Sequence, residues 1–248
     1  MEIINDNNQF MQQKTQQIYQ GKAKIIYATT DNNLLIQYFK DSATAFNGIK
    51  KEEITGKGIL NNAISAHIMA TLSRHGIDNH FVAKLNDREQ LIKKVKIIPL
   101  EVIVRNVVAG SLAKRLGLNE GTILTHPIFE ICYKNDALND PLINDDQAVY
   151  ALQIIEQSQL NTIKKTALSI NNILQKIFLD IDIKLIDFKI EFGFDIDNNI
   201  ILADEISPDS CRLWDANTQQ KLDKDLFRHN LGNLIDGYKQ IANRFNLY

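Results

Sequence analysis

Two short runs near the C-terminal end carry charge where a core strand should be apolar. They are Asp187-Phe188-Lys189-Ile190-Glu191-Phe192-Gly193 and, after a turn-like stretch, Ala203-Asp204-Glu205-Ile206-Ser207-Pro208-Asp209. Side chains alternate across a strand, so Asp187, Lys189 and Glu191 share one face and Ile186, Phe188, Ile190 and Phe192 the other. A two-residue loop at Asp197-Asn198 would pair residue 191 with 204 and 192 with 203, setting Glu191 directly opposite Asp204. Opposed carboxylates destabilise a sheet unless something neutralises them, and a divalent cation can do so. Magnesium takes hard oxygen ligands, usually one or two carboxylates completed by phosphate oxygens and water. The hairpin reads as half of a metal-phosphate site; the alternative is an amphipathic surface hairpin whose carboxylates are solvated or paired with Lys189.

Other stretches supply positive charge. Tyr19-Gln20-Gly21-Lys22-Ala23-Lys24 opens the first strand. Gly21 permits a tight turn, and Lys22 and Lys24 project to one face, a geometry suited to a triphosphate. The run is neither Gly-x-x-x-x-Gly-Lys nor Gly-x-Gly-x-x-Gly. Arg105-Asn106-Val107-Val108-Ala109-Gly110-Ser111 follows an apolar strand and precedes a short helix at 112–116. Ser111 is placed to cap that helix, and with Arg105 it makes a seat for a second phosphate; a simple cap with a surface arginine is the alternative. Pro208-Asp209-Ser210-Cys211-Arg212-Leu213-Trp214 brings Asp209 and Arg212 close to the metal face, where Arg212 could hold an anionic substrate. An Asp209-Arg212 turn with Trp214 in the core is the structural reading of the same residues. Lys134-Asn135-Asp136 and Asp140-Pro141 form a polar loop that could join a site. A metal, a triphosphate seat and a second anion seat suggest phosphoryl transfer onto an anionic acceptor, where catalysis is mainly positioning and charge neutralisation. Cys211 has no nearby Cys-His pattern that would make it a nucleophile, and His67, on a helix face, is assigned no chemistry.

The elements that must position these residues follow from periodicity. The chain has 248 residues, 44% of them hydrophobic, enough for one large domain or two smaller ones. After a polar leader over 1–17, alternation at Ile25-Ile26-Tyr27 and from Leu34 to Phe39 predicts a β-meander. Apolar residues at 60, 63, 64, 68 and 72 predict a helix from Gly58 to His75, ended by Gly76, and a strand follows at Phe81-Val82-Ala83. Lys93 to Ile98 and Leu100 to Val104 predict two strands around Pro99, which marks an edge, a bulge or a crossing between lobes. Helical periodicity, in one broken helix or two, runs from Asn144 to about Leu179, and a last helical stretch from about Lys224 to Phe245. Sheet first and mixed structure later predict closely packed α+β lobes with a boundary near Pro99 and a ligand cleft between them. A net charge of -2 gives no footprint for nucleic acid or an anionic membrane. No apolar run approaches the roughly 20 residues that span a bilayer, and the leader is not signal-like, so a cytoplasmic location is expected. Two cysteines and five scattered histidines make neither a disulfide framework nor a zinc-ligand spacing.

Taken as a set, four groups of residues resemble, in order and spacing, the SAICAR synthetase (phosphoribosylaminoimidazole-succinocarboxamide synthase) family from about Tyr19 to Phe245. They are Gly21 to Lys24, Val104-Arg105-Asn106 through Gly110-Ser111, Asp187-Phe188-Lys189 through Glu191-Phe192-Gly193, and Asp204-Glu205 through Ser207-Pro208-Asp209 with Arg212-Leu213-Trp214. Tyr38 through Gly48 and Lys224-Asp225-Leu226-Phe227-Arg228 add to it. The resemblance implies an α+β fold, with a small antiparallel-sheet lobe at 18–99 packed on a larger α+β lobe at 100–248 and ATP between them. It implies ATP-dependent ligation of L-aspartate to the carboxylate of 4-carboxy-5-aminoimidazole ribonucleotide, a step of de novo purine synthesis, with an acyl phosphate as the activated form. By resemblance, Gly21, Lys22, Ala23 and Lys24 bind ATP phosphates, and Glu191 and Asp204 hold Mg2+. Arg105, Ser111 and Arg212 grip the ribonucleotide phosphate, Asp209 touches the ribonucleotide, and Lys189 and Asp187 are the catalytic pair that organises the metal face. The Lys134-Asn135-Asp136 loop is a candidate for the aspartate pocket, and Asn47 stands where some branches carry an acidic residue. A homodimer is expected. The rivals are a small-molecule kinase without the ligation step and a nucleotide-binding regulatory protein without catalysis.

Overall fold

The computed structural model describes residues 13–45 and 49–247. Most of the polar leader, and Asn47 with its two neighbours, lie outside the described residues. The expected meander is present as β1 (Gln17–Gln20), β2 (Lys24–Ala28) and β3 (Leu34–Phe39). The end of the leader is already part of it, since Gln17 pairs with Tyr27 and Lys14 meets Glu89 at 2.5 Å. A two-stranded ribbon, β4 (Ser42–Ala45) with β5 (Lys50–Glu53), leads to α1 (Lys57–Arg74), and β6 (Phe81–Lys84) and β7 (Glu89–Lys93) complete a five-stranded antiparallel sheet in the order β1-β2-β3-β7-β6. The α1 helix forms where Leu60, Ile64, Ile68 and Leu72 recur every four residues, and all four are buried. Gly76, at φ 78, ends it as the spacing predicts.

A second sheet begins three residues after the first ends. It comprises β8 (Lys96–Val107), β9 (Ile123–Tyr133), the short β10 (Leu142–Ile143), β11 (Ile183–Phe194), β12 (Ile200–Ala203) and β13 (Cys211–Asp215). The order is β10-β9-β8-β11-β12, with β13 also on β11. Between its strands lie α2 (Gly110–Leu116) and α3 (Gln157–Leu179), and after them α4 (Asp225–Arg228) and α5 (Leu234–Arg244). The buried stripe Leu160, Ile163, Ala167, Ile170, Leu174 and Phe178 of α3 packs in one cluster with Val102, Val104, Phe188 and Ile190 of β8 and β11. The α1 stripe belongs to the same cluster, so a continuous core joins the first sheet's helix to the second sheet.

Four local expectations are corrected. Pro99 does not separate two strands but lies inside β8, where pairing with β11 jumps from Glu191↔Glu101 to Gly193↔Ile97. A proline without an N–H is accommodated at such a bulge, and its carbonyl still accepts from the Lys134 N–H at 3.0 Å. The β11-β12 loop has five residues, 195–199, because Asp195 Oδ1 accepts from the N–H groups of Asp197 and Asn199 at 3.0 and 2.8 Å. The pairing is therefore Glu191↔Ala203 and Phe192↔Leu202, and Asp204 lies just past the strand end at φ 62 rather than opposite Glu191. Ile186 leaves the Phe188-Ile190-Phe192 face: the β11-β13 register shifts between Leu185 and Asp187, and Ile186 packs with Val107, Ala109 and Trp214 in a separate cluster. The last helical stretch is two helices, interrupted near Gly232.

The start of α1 is held by a close approach that its sequence alone does not announce. Asp41 accepts from the Gly58 N–H at 2.9 Å and clasps Arg88 through both oxygens at 2.9 and 2.8 Å. A Cβ on Gly58 would lie 2.4 Å from the Phe39 carbonyl oxygen and 2.8 Å from Arg88 Nη1. Alanine in a helix ordinarily stabilises by about 1 kcal/mol over glycine. Here the overlap with backbone should reverse the sign, so Gly58→Ala is expected to destabilise by about 1 to 3 kcal/mol in urea unfolding. A more stable variant would contradict the packing described.

Candidate active site

Lys22, Lys24, Lys189, Glu191, Asp204 and Asp209 line a cavity of about 1100 Å³ between the two sheets. The Gly21–Lys24 turn forms one wall, closed by the Gly21 N–H donating to the Lys24 carbonyl at 2.9 Å. Lys24 ion-pairs with both Asp204 and Glu205, just past the end of β12. Burial opposes charge on both sides of this contact, drawing Lys24 down to about 7 and lifting Asp204 to about 7. Lys22, half exposed, reaches across to Asp136 at 3.0 Å. Both lysines therefore point from the first sheet to carboxylates of the second.

On the cavity floor the expected pair of opposed carboxylates exists, with a different member. Glu191 stands opposite Glu101 of β8, and Lys189 bridges them, 2.6 Å from Glu101 and 3.5 Å from Glu191. Lys134 meets Glu191 from the other side at 2.5 Å. Burial alone would lift the Glu191 carboxyl, but Lys189, Lys134 and Lys24 around it hold it below the usual carboxylate range. Asp209 also faces the cavity, yet its oxygens are taken by Lys57 at 2.5 Å, Asn61 at 2.9 Å and the Tyr238 hydroxyl at 2.7 Å. Burial works against its charge, and Lys224 and Lys57 more than offset that, keeping Asp209 ionised.

The arginines expected at a second phosphate form their own cluster and do not line the cavity. Arg105 and Arg212 donate Nη1 to the same oxygen of Asp187, at 3.0 and 2.8 Å. Asp187 is thus their shared counter-ion, and among the described residues it is not part of the cavity wall with Glu191 and Asp204. Ser111 is not the helix cap. Ala109 occupies that position, and the Ser111 hydroxyl instead accepts from Arg105 Nη2 at 3.0 Å. Gly110, at φ 54, lets Arg212 lie against the backbone, since a Cβ there would sit 2.3 Å from Arg212 Nη2. Asp209 does not turn back on Arg212, which pairs with Asp187 and Asp225, while Trp214 is buried as anticipated.

Sequence reasoning did not assign Glu101, Lys57, Lys224, Arg228 or Tyr238. Glu101 carried a usable signal, a lone charge inside the apolar run Leu100 to Val104. Lys57 had none: it is fully buried only because α1 carries it against the 207–210 turn. Cys211 is buried and its thiol is pushed far up by that burial, and Cys132 is raised to about 11, so neither is an activated nucleophile. Among the described residues, no group of three or more histidine, cysteine or acidic side chains is arranged to hold a metal by itself. No helix there is long and apolar enough to cross a membrane.

A cleft of facing lysines and carboxylates, with a glycine turn on one sheet and paired arginines behind the other, defines a class: a two-sheet α+β fold that handles anionic, phosphorylated ligands. The SAICAR synthetase family model matches residues 17–245, and the chain belongs to that family. It is 57% identical over 231 residues to the phosphoribosylaminoimidazole-succinocarboxamide synthase of Bacillus subtilis (strain 168), covering 93% of this chain and 95% of that one. It superposes on the crystal structure of the Ehrlichia chaffeensis synthase with a TM-score of 0.92 at 49% identity, covering 94% of this chain and 99% of the other. It superposes on a SAICAR synthetase in complex with ADP with a TM-score of 0.88 at 48% identity, over 91% and 96% of the two chains.

His80, also on the cavity wall, gives the site a pH signature. Burial, with Lys24 nearby, pushes its imidazole down to about 3, and its Nε2 has no hydrogen-bond partner among the described residues. The folded protein keeps His80 neutral, whereas the unfolded chain protonates it near its ordinary 6.5. Its contribution to stability is therefore complete above pH 6.5 and declines as pH falls toward 3, by about 1.4 kcal/mol per unit. Chemical denaturation between pH 7 and 4 should show a shallower acid loss for His80→Gln than for the wild type. Equal slopes would contradict a buried neutral imidazole.

Proposed function

We propose that the cleft joins L-aspartate to the carboxylate of 4-carboxy-5-aminoimidazole ribonucleotide, with ATP cleaved to ADP and phosphate, in purine biosynthesis. The observation that carries this reading is the pair of lysines on the Gly21–Lys24 turn, each aimed across the cavity at carboxylates of the second sheet. A triphosphate entering there meets two ammonium groups carried on a tight glycine turn. The first sheet, through β7, serves as the nucleotide clamp, and the second sheet from β8 onward carries the metal and ribonucleotide sites, so the expected division at 99/100 moves to the link between β7 and β8.

The acceptor is a carboxylate, a poor electrophile. Its oxygen attacks the γ-phosphorus, ADP leaves, and the resulting acyl phosphate is attacked at carbon by the aspartate amine. The amine loses a proton, the C–N bond forms, and phosphate departs with both electrons of the C–O bond. Lys22 and Lys24 hold the phosphates through this sequence. Lys189, between Glu101 and Glu191, can neutralise charge on the transferring group. Arg105, Arg212 and Ser111 hold the ribonucleotide phosphate, with Asp187 keeping the two guanidiniums together, while Asp209 acts from its anchored position on the cavity wall. The Lys134-Asn135-Asp136 loop is our candidate for contact with aspartate.

Glu191 and Asp204 fit Mg2+, because they are hard oxygen donors on one cavity whose charge only lysines now balance, and two carboxylates completed by phosphates and water suit this ion. Bound there, Mg2+ would supply charge neutralisation to the β- and γ-phosphoryl oxygens. A kinase that stops at phosphoryl transfer would need no amine; membership in a family of ligases favours ligation. We further propose a homodimer located in the cytoplasm.

The test is ADP release by the purified protein with Mg2+, ATP and the carboxylated ribonucleotide, with and without L-aspartate. ADP and the succinocarboxamide product should appear together, and only when aspartate is present; steady ADP release without it would favour a kinase. Glu191→Gln and Asp204→Asn should each lower turnover at least ~100-fold while leaving the circular dichroism spectrum intact, because they remove charge and little volume. Wild-type turnover in either variant would remove the metal assignment.

A further inference from the structure

The two arginines of the proposed phosphate seat are the middle of a longer chain of charge. Arg115, on α2, pairs with Glu130 of β9, and Glu130 accepts from Arg105 Nε at 2.6 Å. Arg105 and Arg212 share Asp187. Arg212 then donates Nε to Asp225 at 2.9 Å, and Asp225 accepts from Arg228 Nη1 at 2.7 Å. Arg115 is 36% exposed, Glu130 9% and Asp225 2%, so the chain runs from the surface through the second sheet to Arg228 on the cavity wall.

The donors are used in a pattern. Arg105 commits Nε to Glu130, Nη1 to Asp187 and Nη2 to Ser111. Arg212 commits Nε to Asp225 and Nη1 to Asp187, and its Nη2 lies against Gly110. Both guanidiniums are therefore clamped on two sides and present the same outer edge to the Gly110-Ser111 turn. A planar fork fixed at Nε cannot pivot about its Cδ–Nε axis. Each of the four guanidiniums has a carboxylate partner, and the buried Asp223 adds negative charge near Arg212.

We infer that Glu130 and Asp225 are positioning residues for the ribonucleotide: each fixes the Nε side of one arginine so that both outer edges converge on one phosphate. Asp225 also ties that seat to Arg228, a cation on the cavity wall. The inference rests on the proposed ribonucleotide seat and adds residues that do not touch the substrate.

Steady-state kinetics with each substrate varied in turn separates the two levels. Glu130→Gln and Asp225→Asn should each raise KM for the ribonucleotide about tenfold and leave KM for ATP within about twofold, the size expected when a charged hydrogen bond that orients a binding group is lost. Glu130→Asp, which keeps the charge, should recover part of the loss. If the neutral variants lose their fold by circular dichroism, Arg115→Gln at the exposed end carries the test and must shift the ribonucleotide KM without shifting that for ATP. Unchanged ribonucleotide KM, or equal shifts in both substrates, would overturn the positioning role. Arg212→Lys tests the seat itself: an unchanged ribonucleotide KM in that variant would remove the seat, whereas a large rise there with none in Glu130→Gln or Asp225→Asn would remove only the present inference.

Discussion

The contact on which the site depends is Lys24 with Asp204 and Glu205. It joins the first strand after the glycine turn to the segment just past β12, and so joins the two sheets across the cavity. Charges this deeply placed are costly to leave unpaired, and pairing them fixes how the sheets face each other. The same rule organises the rest of the cleft. Lys22 meets Asp136, Lys134 meets Glu191, Lys189 meets Glu101, and Lys57 meets Asp209, each pair joining segments distant in sequence. The cavity is thereby kept polar without collapsing, and its lysines and carboxylates are held near positions that phosphates and a hard cation would use.

Backbone irregularities deliver these charges. Pro99 lies in a bulge that ends just before Glu101, and the longer β11-β12 loop carries Asp204 beyond its strand into a left-handed conformation. The bulge between Leu185 and Asp187 moves Ile186 into a second apolar cluster and leaves Asp187 where both arginines can reach it. Regular strands would have alternated these residues onto predictable faces. Function is placed where alternation breaks, and strand register arguments are weakest there.

That pattern explains what could be read from the sequence. The helix over α1 was legible because Leu60, Ile64, Ile68 and Leu72 recur with helical spacing, and the meander because its strands alternate. The charged residues of β11 were legible as a site because charge inside an apolar run needs a reason. The assumed partner for Glu191 was wrong because the Asp195 side chain builds a longer turn than Asp197-Asn198 alone suggests. Ser111 looked like a cap because Ser commonly caps helices, but the helix starts two residues earlier than expected and the Ser111 hydroxyl serves Arg105. Lys57, Tyr238 and Glu130 were illegible for another reason: their partners lie far along the chain, and only packing brings them together.

In the proposed site, Mg2+ would take the carboxylates of Glu191 and Asp204 and the triphosphate would take the lysines that otherwise pair with them. Calorimetric titration of ATP into the wild-type protein, with Mg2+ and then with EDTA, tests this exchange most directly. Binding should be clearly tighter with Mg2+, because metal-free ATP would bring four negative charges beside Glu191, Asp204 and Glu205 with only the lysines to offset them. Equal affinity in EDTA would contradict it and return the carboxylates to a purely structural role.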